Sequence, residues 1–158
     1  MRKQKGFSLI ELLIVVAIIL IIAAIAIPNL LRARIAANES SAASGIRTIN
    51  TAEISYYSTY GATYAAALSN LGTGGLTTAC PNPPIAATSC LIDPQLASGT
   101  KSGYSYTAVG TATAYHAEAN PASSQQGVRS FCSIEDGVVR AVPSGGIATC
   151  AATVAPLR

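Results

Sequence analysis

Lys5-Gly6-Phe7-Ser8-Leu9-Ile10-Glu11 runs without a break into Leu12-Leu13-Ile14-Val15-Val16-Ala17-Ile18 and on to Ile27. Sixteen consecutive apolar residues lie between Glu11 and Pro28, and counting back to Phe7 gives a stretch of 21. At about 1.5 Å per residue a helix of that length crosses a hydrocarbon core of roughly 30 Å. Arg2, Lys3 and Lys5 stand in front of the run. Under the positive-inside rule they hold the N-terminus in the cytoplasm and send everything after Ile27 outward. Glu11 sits in the wall of this apolar segment, where an ionised group costs roughly 2.5–3.5 kcal/mol on insertion scales. A carboxylate kept at that depth needs a partner, so Glu11 is a functional candidate.

The wording from Lys5 to Ile18 closely resembles the class III signal of type IV prepilins and of the related pseudopilins of type II secretion. The resemblance covers roughly the first 35 residues, and it is specific because Gly, Phe and Glu fall in fixed register against the apolar run. It implies that a prepilin peptidase cuts after Gly6 and methylates the new N-terminal Phe7, and that Glu11 acts in assembly. It further implies a helical homopolymer of this chain, stored first in the inner membrane, with an inner-membrane assembly platform and outer-membrane secretin-type machinery as partners. The product is then an extracellular filament or, as a pseudopilin, a periplasmic one. Two blander readings remain open. A conventional secretory signal has a shorter core and a small-residue cleavage site behind it, which Ala23-Ala24 could imitate; a plain single-span anchor of a binding protein that never polymerises is the other.

Composition agrees with a single small domain behind the helix. Charged residues make up only 11% of the chain, against about 25% in ordinary globular proteins, so the surface is suited to packing against copies of itself. The chain has ten basic and seven acidic residues; taking away Arg2, Lys3 and Lys5 leaves seven of each. The net charge of +3 therefore belongs to the leader, and net basicity gives no support to nucleic-acid binding.

Cys80, Cys90, Cys132 and Cys150 all follow the apolar run. An even number on the exported side reads as two disulfides, for which three connectivities exist. Cys80–Cys90 and Cys132–Cys150 are expected, since each closes a loop containing Pro or Gly in a region poor in large apolar residues. Zinc is a poor alternative, because no C-x-x-C pair occurs and the lone His116 is far from every cysteine in sequence.

Between Asn29 and Tyr60 there is one glycine and no proline, and Leu31, Ile35, Ala42, Ile46, Ile49 and Ile54 recur at spacings near three, four and seven. This predicts an amphipathic continuation of the membrane helix, loosened or kinked at Pro28. Phe7 to Thr59 would then be one helix of about 80 Å. From Ala62 to Gly103 the Gly-, Ser- and Pro-rich composition predicts an irregular connection with a short helix near Ala65–Leu71. Strands are expected at Tyr104–Val109, Ala114–Ala119, Arg129–Ile134 and Val138–Val142, the last two joined through Asp136-Gly137 as a hairpin. The fold class is α+β: a long N-terminal helix, its first half spanning the membrane, packed through its second half on an antiparallel sheet of three to four strands, the lollipop of a pilin. The expected organisation is a leader at 1–6, a membrane or filament-core helix at 7–28, and a head domain at 29–158.

Catalytic chemistry finds no foothold. No G-x-S-x-G elbow, P-loop or H-E-x-x-H motif accompanies the scattered Ser, His and Asp residues, so neither catalytic residue nor cofactor is expected. His116 reads as a surface or half-buried residue of a strand. Glu135-Asp136 could invoke calcium, yet two acids before a glycine are more often a turn, and no metal is assigned. Tyr57, Tyr60 and Tyr64 would share a helical face if the helix persisted, and with Tyr56 they read as packing against the sheet rather than as a stacking or electron-hopping device.

Overall fold

In the computed structural model, residues 7–76, 79–143, 150 and 156–157 are described. The leader at 1–6, and with it Gly6, lies outside the described residues. A single helix, α1, runs from Leu9 to Thr59 with Pro28 inside it. Compact contacts divide the chain into Met1–Arg34 and Ile35–Arg158.

In the first unit every described side chain from Phe7 to Ile22 is exposed, as is nearly every one from there to Arg34. The twelve Leu, Ile and Val residues of Leu12–Ile27 would each gain roughly 1.5–3 kcal/mol on leaving water, on the order of 20–30 kcal/mol together. A debt of that size is not left to solvent. It calls for lipid or another apolar helix as cover.

The second unit supplies its own cover. Ala42, Ala43, Gly45, Ile46, Ile49, Ala52 and Tyr56 form the buried face of α1, and their three-and-four spacing is the helical period. The helix ends in a Schellman motif: Gly61 takes a φ of 92°, and the Ala62 N–H donates to the Tyr57 carbonyl. Against this face lies a five-stranded antiparallel sheet in sequence order: β1 (Thr100–Lys101), β2 (Tyr104–Gly110), β3 (Tyr115–Pro121), β4 (Arg129–Ile134) and β5 (Arg140–Pro143).

Residues alternate between faces in β2 and β3, so Tyr104, Tyr106, Ala108, Tyr115, Ala117 and Ala119 turn inward. Register sets large against small: Ala119 stands between Tyr106 on β2 and Phe131 on β4. Gly45 completes the fit, since a Cβ there would come within 2.7 Å of the Tyr106 ring.

Four of the strands stand where alternation places them, and the sheet exceeds the expected three or four by β1. That strand is two residues long, and it pairs Lys101 with Tyr104 across Ser102-Gly103, both at positive φ. This is the geometry of a type I′ hairpin turn. The connection from Ala62 to Gly103 is likewise better ordered than its composition implies. It holds a 3₁₀ turn at Leu68–Leu71 and a helix, α2, at Pro94–Ala97. Asp93 caps α2 by accepting from the Leu96 N–H at 2.9 Å, with Pro94 in the first turn. Leu68, Leu71, Ile92 and Leu96 join the core, which is why this segment stays in place.

One position on α1 departs from the expected face. Ile54 is 60% exposed, whereas Glu53 beside it is fully buried. The inward rows at Ile46, Ile49 and Tyr56 bring residue 53 under the sheet and turn residue 54 about 100° away.

Candidate functional site

Phe7 and Ser8 precede α1 and are exposed. The backbone N–H of Ser8 donates to Oε2 of Glu11 at 2.9 Å, and the Leu12 N–H donates to the Ser8 carbonyl at 3.3 Å. Ser8 therefore stands at the N-cap and Glu11 at the third helical position, which is one half of a capping box. The positive end of the helix dipole favours a carboxylate at that position. The Ser-x-x-Glu spacing was the sequence signal for this contact. Glu11 thus has a resting partner within its own chain, held by one exposed hydrogen bond.

Residues Leu9 to Thr59 include a window long and apolar enough to cross a membrane, with none of it buried. Residues 1–27 match the family described as the prokaryotic N-terminal methylation motif. The N-terminal segment is similar to those of type IV pilins. Over 40 residues, 25% of this chain, it is 68% identical to a type IV wide pilus major component, PilA4, of Thermus thermophilus. Over 56 residues, 35% of this chain, it is 46% identical to a type IV major pilin protein, PilA, of Myxococcus xanthus. The matched stretches span 30% and 26% of those relatives' own lengths. No solved structure matches the chain.

The head carries the other candidate residues, and polar side chains of α1 fasten it from within. Glu39 accepts through Oε1 from the backbone N–H groups of Val128 and Arg129, at 3.0 and 3.1 Å, and through Oε2 from the Arg129 guanidinium at 2.8 and 2.7 Å. Burial works to raise its pKa, but these hydrogen bonds together outweigh it and hold the carboxyl below its ordinary value. Asn50 donates to Ser133 Oγ and to the Gly137 carbonyl, and accepts from the Tyr115 hydroxyl at 3.0 Å, so one amide joins α1, β3, β4 and the turn after β4. Glu53 accepts the Ala65 N–H at 2.9 Å through Oε2, while Oε1 is buried without a hydrogen-bond partner. Burial pushes its pKa to about 7. None of these three roles was visible in the sequence, because each partner lies 12 to 90 positions away.

Cys80 is bonded to Cys90 and Cys132 to Cys150, with Cα separations of 6.0 and 5.9 Å. Cys132 lies fully buried in β4. His116 on β3 is partly exposed, with Nε2 3.2 Å from Glu118. A hollow of about 340 Å3 is lined by His116 and Glu135 together with Thr111, Tyr115 and the disulfide-bonded Cys150. Asp136 is a turn residue: it accepts from the Val138 N–H at 2.9 Å and pairs with the Arg140 guanidinium, whose hydrogen bond holds its pKa down. Among the described residues no three of His, Cys, Asp and Glu gather as metal ligands do.

The tyrosines differ from the helical-face expectation because α1 ends at Thr59 and Tyr64 lies beyond it. Tyr56 is the buried one and donates to the Ala86 carbonyl, whereas Tyr57 stacks on Tyr64 and Tyr64 on Tyr115, at 4.8 and 4.9 Å between ring centroids. These contacts pin the segment after the helix to β3.

Proposed function

We propose that this chain is the structural subunit of a type IV pilus-like filament, inserted in the inner membrane as a precursor with its N-terminus in the cytoplasm, cut by prepilin peptidase, methylated and polymerised. The observation that carries the reading is the register of Gly6, Phe7 and Glu11 against an apolar helix whose residues find no cover within their own unit. Lipid covers that helix during storage, and the helices of neighbouring copies cover it in the filament, so the same apolar surface serves both states. On this reading 1–6 is the leader, 7–28 the membrane and filament-core segment, and 29–158 the head. The disulfides suit an exported head.

Glu11 supplies the register. Cutting after Gly6 creates an ammonium group at Phe7, and in an apolar environment a neighbour's ammonium attracts the carboxylate far more strongly than in water. Docking then trades the Ser8 N–H contact for an ion pair. Desolvation offsets much of the attraction, so the pair selects axial position more than it adds stability. The subunit itself needs no catalytic group, cofactor or metal; the peptidase, the assembly platform and the secretin-type channel do the work on it.

Electron microscopy of sheared surface material, labelled with antibody to the head, tests this. Labelled filaments support it. A chain confined to short periplasmic assemblies points to a pseudopilin of type II secretion, and a monomer retained in membranes points to a tethered binding protein.

A further inference from the structure

Between Glu11 and Glu39 the only charged residues are Arg32 and Arg34. Both are exposed, and among the described residues neither has an acidic partner. Glu39, the next carboxylate along the chain, is already taken by Val128 and Arg129. Two guanidinium groups thus follow the apolar run directly, with no counter-charge.

Their spacing along α1 is informative. Arg32 and Arg34 follow Leu9 by 23 and 25 residues, which is about 35 and 38 Å along a helix. The hydrocarbon core takes up roughly 30 Å of that, and headgroups extend a bilayer to about 40–45 Å. With Leu9 at one edge of the hydrocarbon, Arg32 falls in the headgroup layer of the opposite leaflet and Arg34 at its outer limit, from which a long side chain reaches back to the phosphates. Two positions apart, they point about 200° from one another around the axis, so they ring the helix rather than mark one face. A guanidinium is a planar, permanently charged fork that matches a phosphate with paired hydrogen bonds.

We infer that Arg32 and Arg34 form a collar that binds lipid phosphates in the leaflet opposite the N-terminus and fixes the depth at which the stored subunit waits. The inference rests on the membrane-stored reading above and names the partner of that segment. The collar also opposes extraction, because both guanidinium groups leave their phosphates when the helix passes into a filament.

The processed chain, labelled with ¹³C at arginine Cζ, is reconstituted in phosphatidylglycerol vesicles in phosphate-free buffer, and phosphorus-dephased carbon NMR reads which arginines lie against phosphate. Dephasing is expected in the unaltered chain, retained in Arg47→Gln and lost in Arg32→Gln/Arg34→Gln. Dephasing that is absent from the unaltered chain, or that survives the double substitution, overturns the collar. A second sample, in a phosphorus-free glycolipid bilayer with inorganic phosphate, separates the sources: no dephasing is expected there, and a signal equal to that in phosphatidylglycerol would overturn the assignment to lipid. Vesicle flotation is read on the same samples. A chain that floats without arginine dephasing contradicts the collar alone, whereas a chain that does not float contradicts the membrane-stored reading beneath it.

Discussion

Residues 7–34 carry as many Ile and Leu residues as 35–158 do, 14 in 28 positions against 14 in 124, and the two regions treat them oppositely. The head buries Ile46, Ile49, Leu71 and Leu96 almost completely. The first unit leaves Leu12, Ile18, Leu20 and Ile25 between 52% and 66% exposed. The difference lies in density as well as patterning. On the head half of α1 one face is apolar and the sheet satisfies it, whereas the first half is apolar all round and no single domain can enclose it. A helix of that kind is made for a partner that surrounds it, and lipid and a bundle of identical helices both do so.

The largest expected effect breaks the comparison at Glu11. A strain carrying only Glu11→Ala should export and cleave the subunit yet form few or no filaments, while a low dose of the variant among unaltered subunits is tolerated. Normal filament yield and length would leave apolar packing of Leu12–Ile27 as the sole driver of assembly.

A matched pair sharpens it next. Ile49→Ala removes side-chain volume from a closed core and should cost about 2–5 kcal/mol of head stability, read from thermal unfolding of the full chain in detergent micelles. Ile19→Ala, on the uncovered half, should leave the same transition where it was. Equal losses would mean that the two halves unfold as one unit.

The smallest effect concerns Glu53. Its folded pKa is about 7 against an ordinary 4.5, because burial disfavours the charged form. The folded state therefore binds more protons than the unfolded one between those values. Stability is fully present below pH 4.5, falls as pH rises and is lost above pH 7, a change on the order of 3 kcal/mol. The groups that act on or feel the carboxylate are the Ala65 N–H and the phenol of Tyr115, and burial pushes Tyr115 to about 12, out of this window. Unfolding followed between pH 5 and 8 should show the slope in the unaltered chain and lose it in Glu53→Gln. A slope that survives that substitution belongs to another group.

What could be read in advance divides along the same line. The membrane-length run, its charge asymmetry and the Gly6-Phe7-Glu11 register are local, and so is the alternation that marks Tyr104, Tyr106 and Ala108. Ser102-Gly103 and Asp93-Pro94 were local signals too, for a hairpin and a capped helix, but each element is so short that the surrounding Gly- and Ser-rich composition hid it. Glu39, Asn50 and Glu53 were beyond reach for a different reason. Their spacing fits the inward face of α1, but a carboxylate or amide counts as polar until its partner is known, and those partners come from the sheet and its loops.

The most direct test of the account is the N-terminus of the chain in sheared surface material. Intact-mass and peptide mass spectrometry should find a subunit that begins at Phe7 and carries one methyl group on its α-amine. A subunit that begins near Ile25, behind the apolar core, would mean that the segment is a discarded secretory signal and would contradict the filament reading.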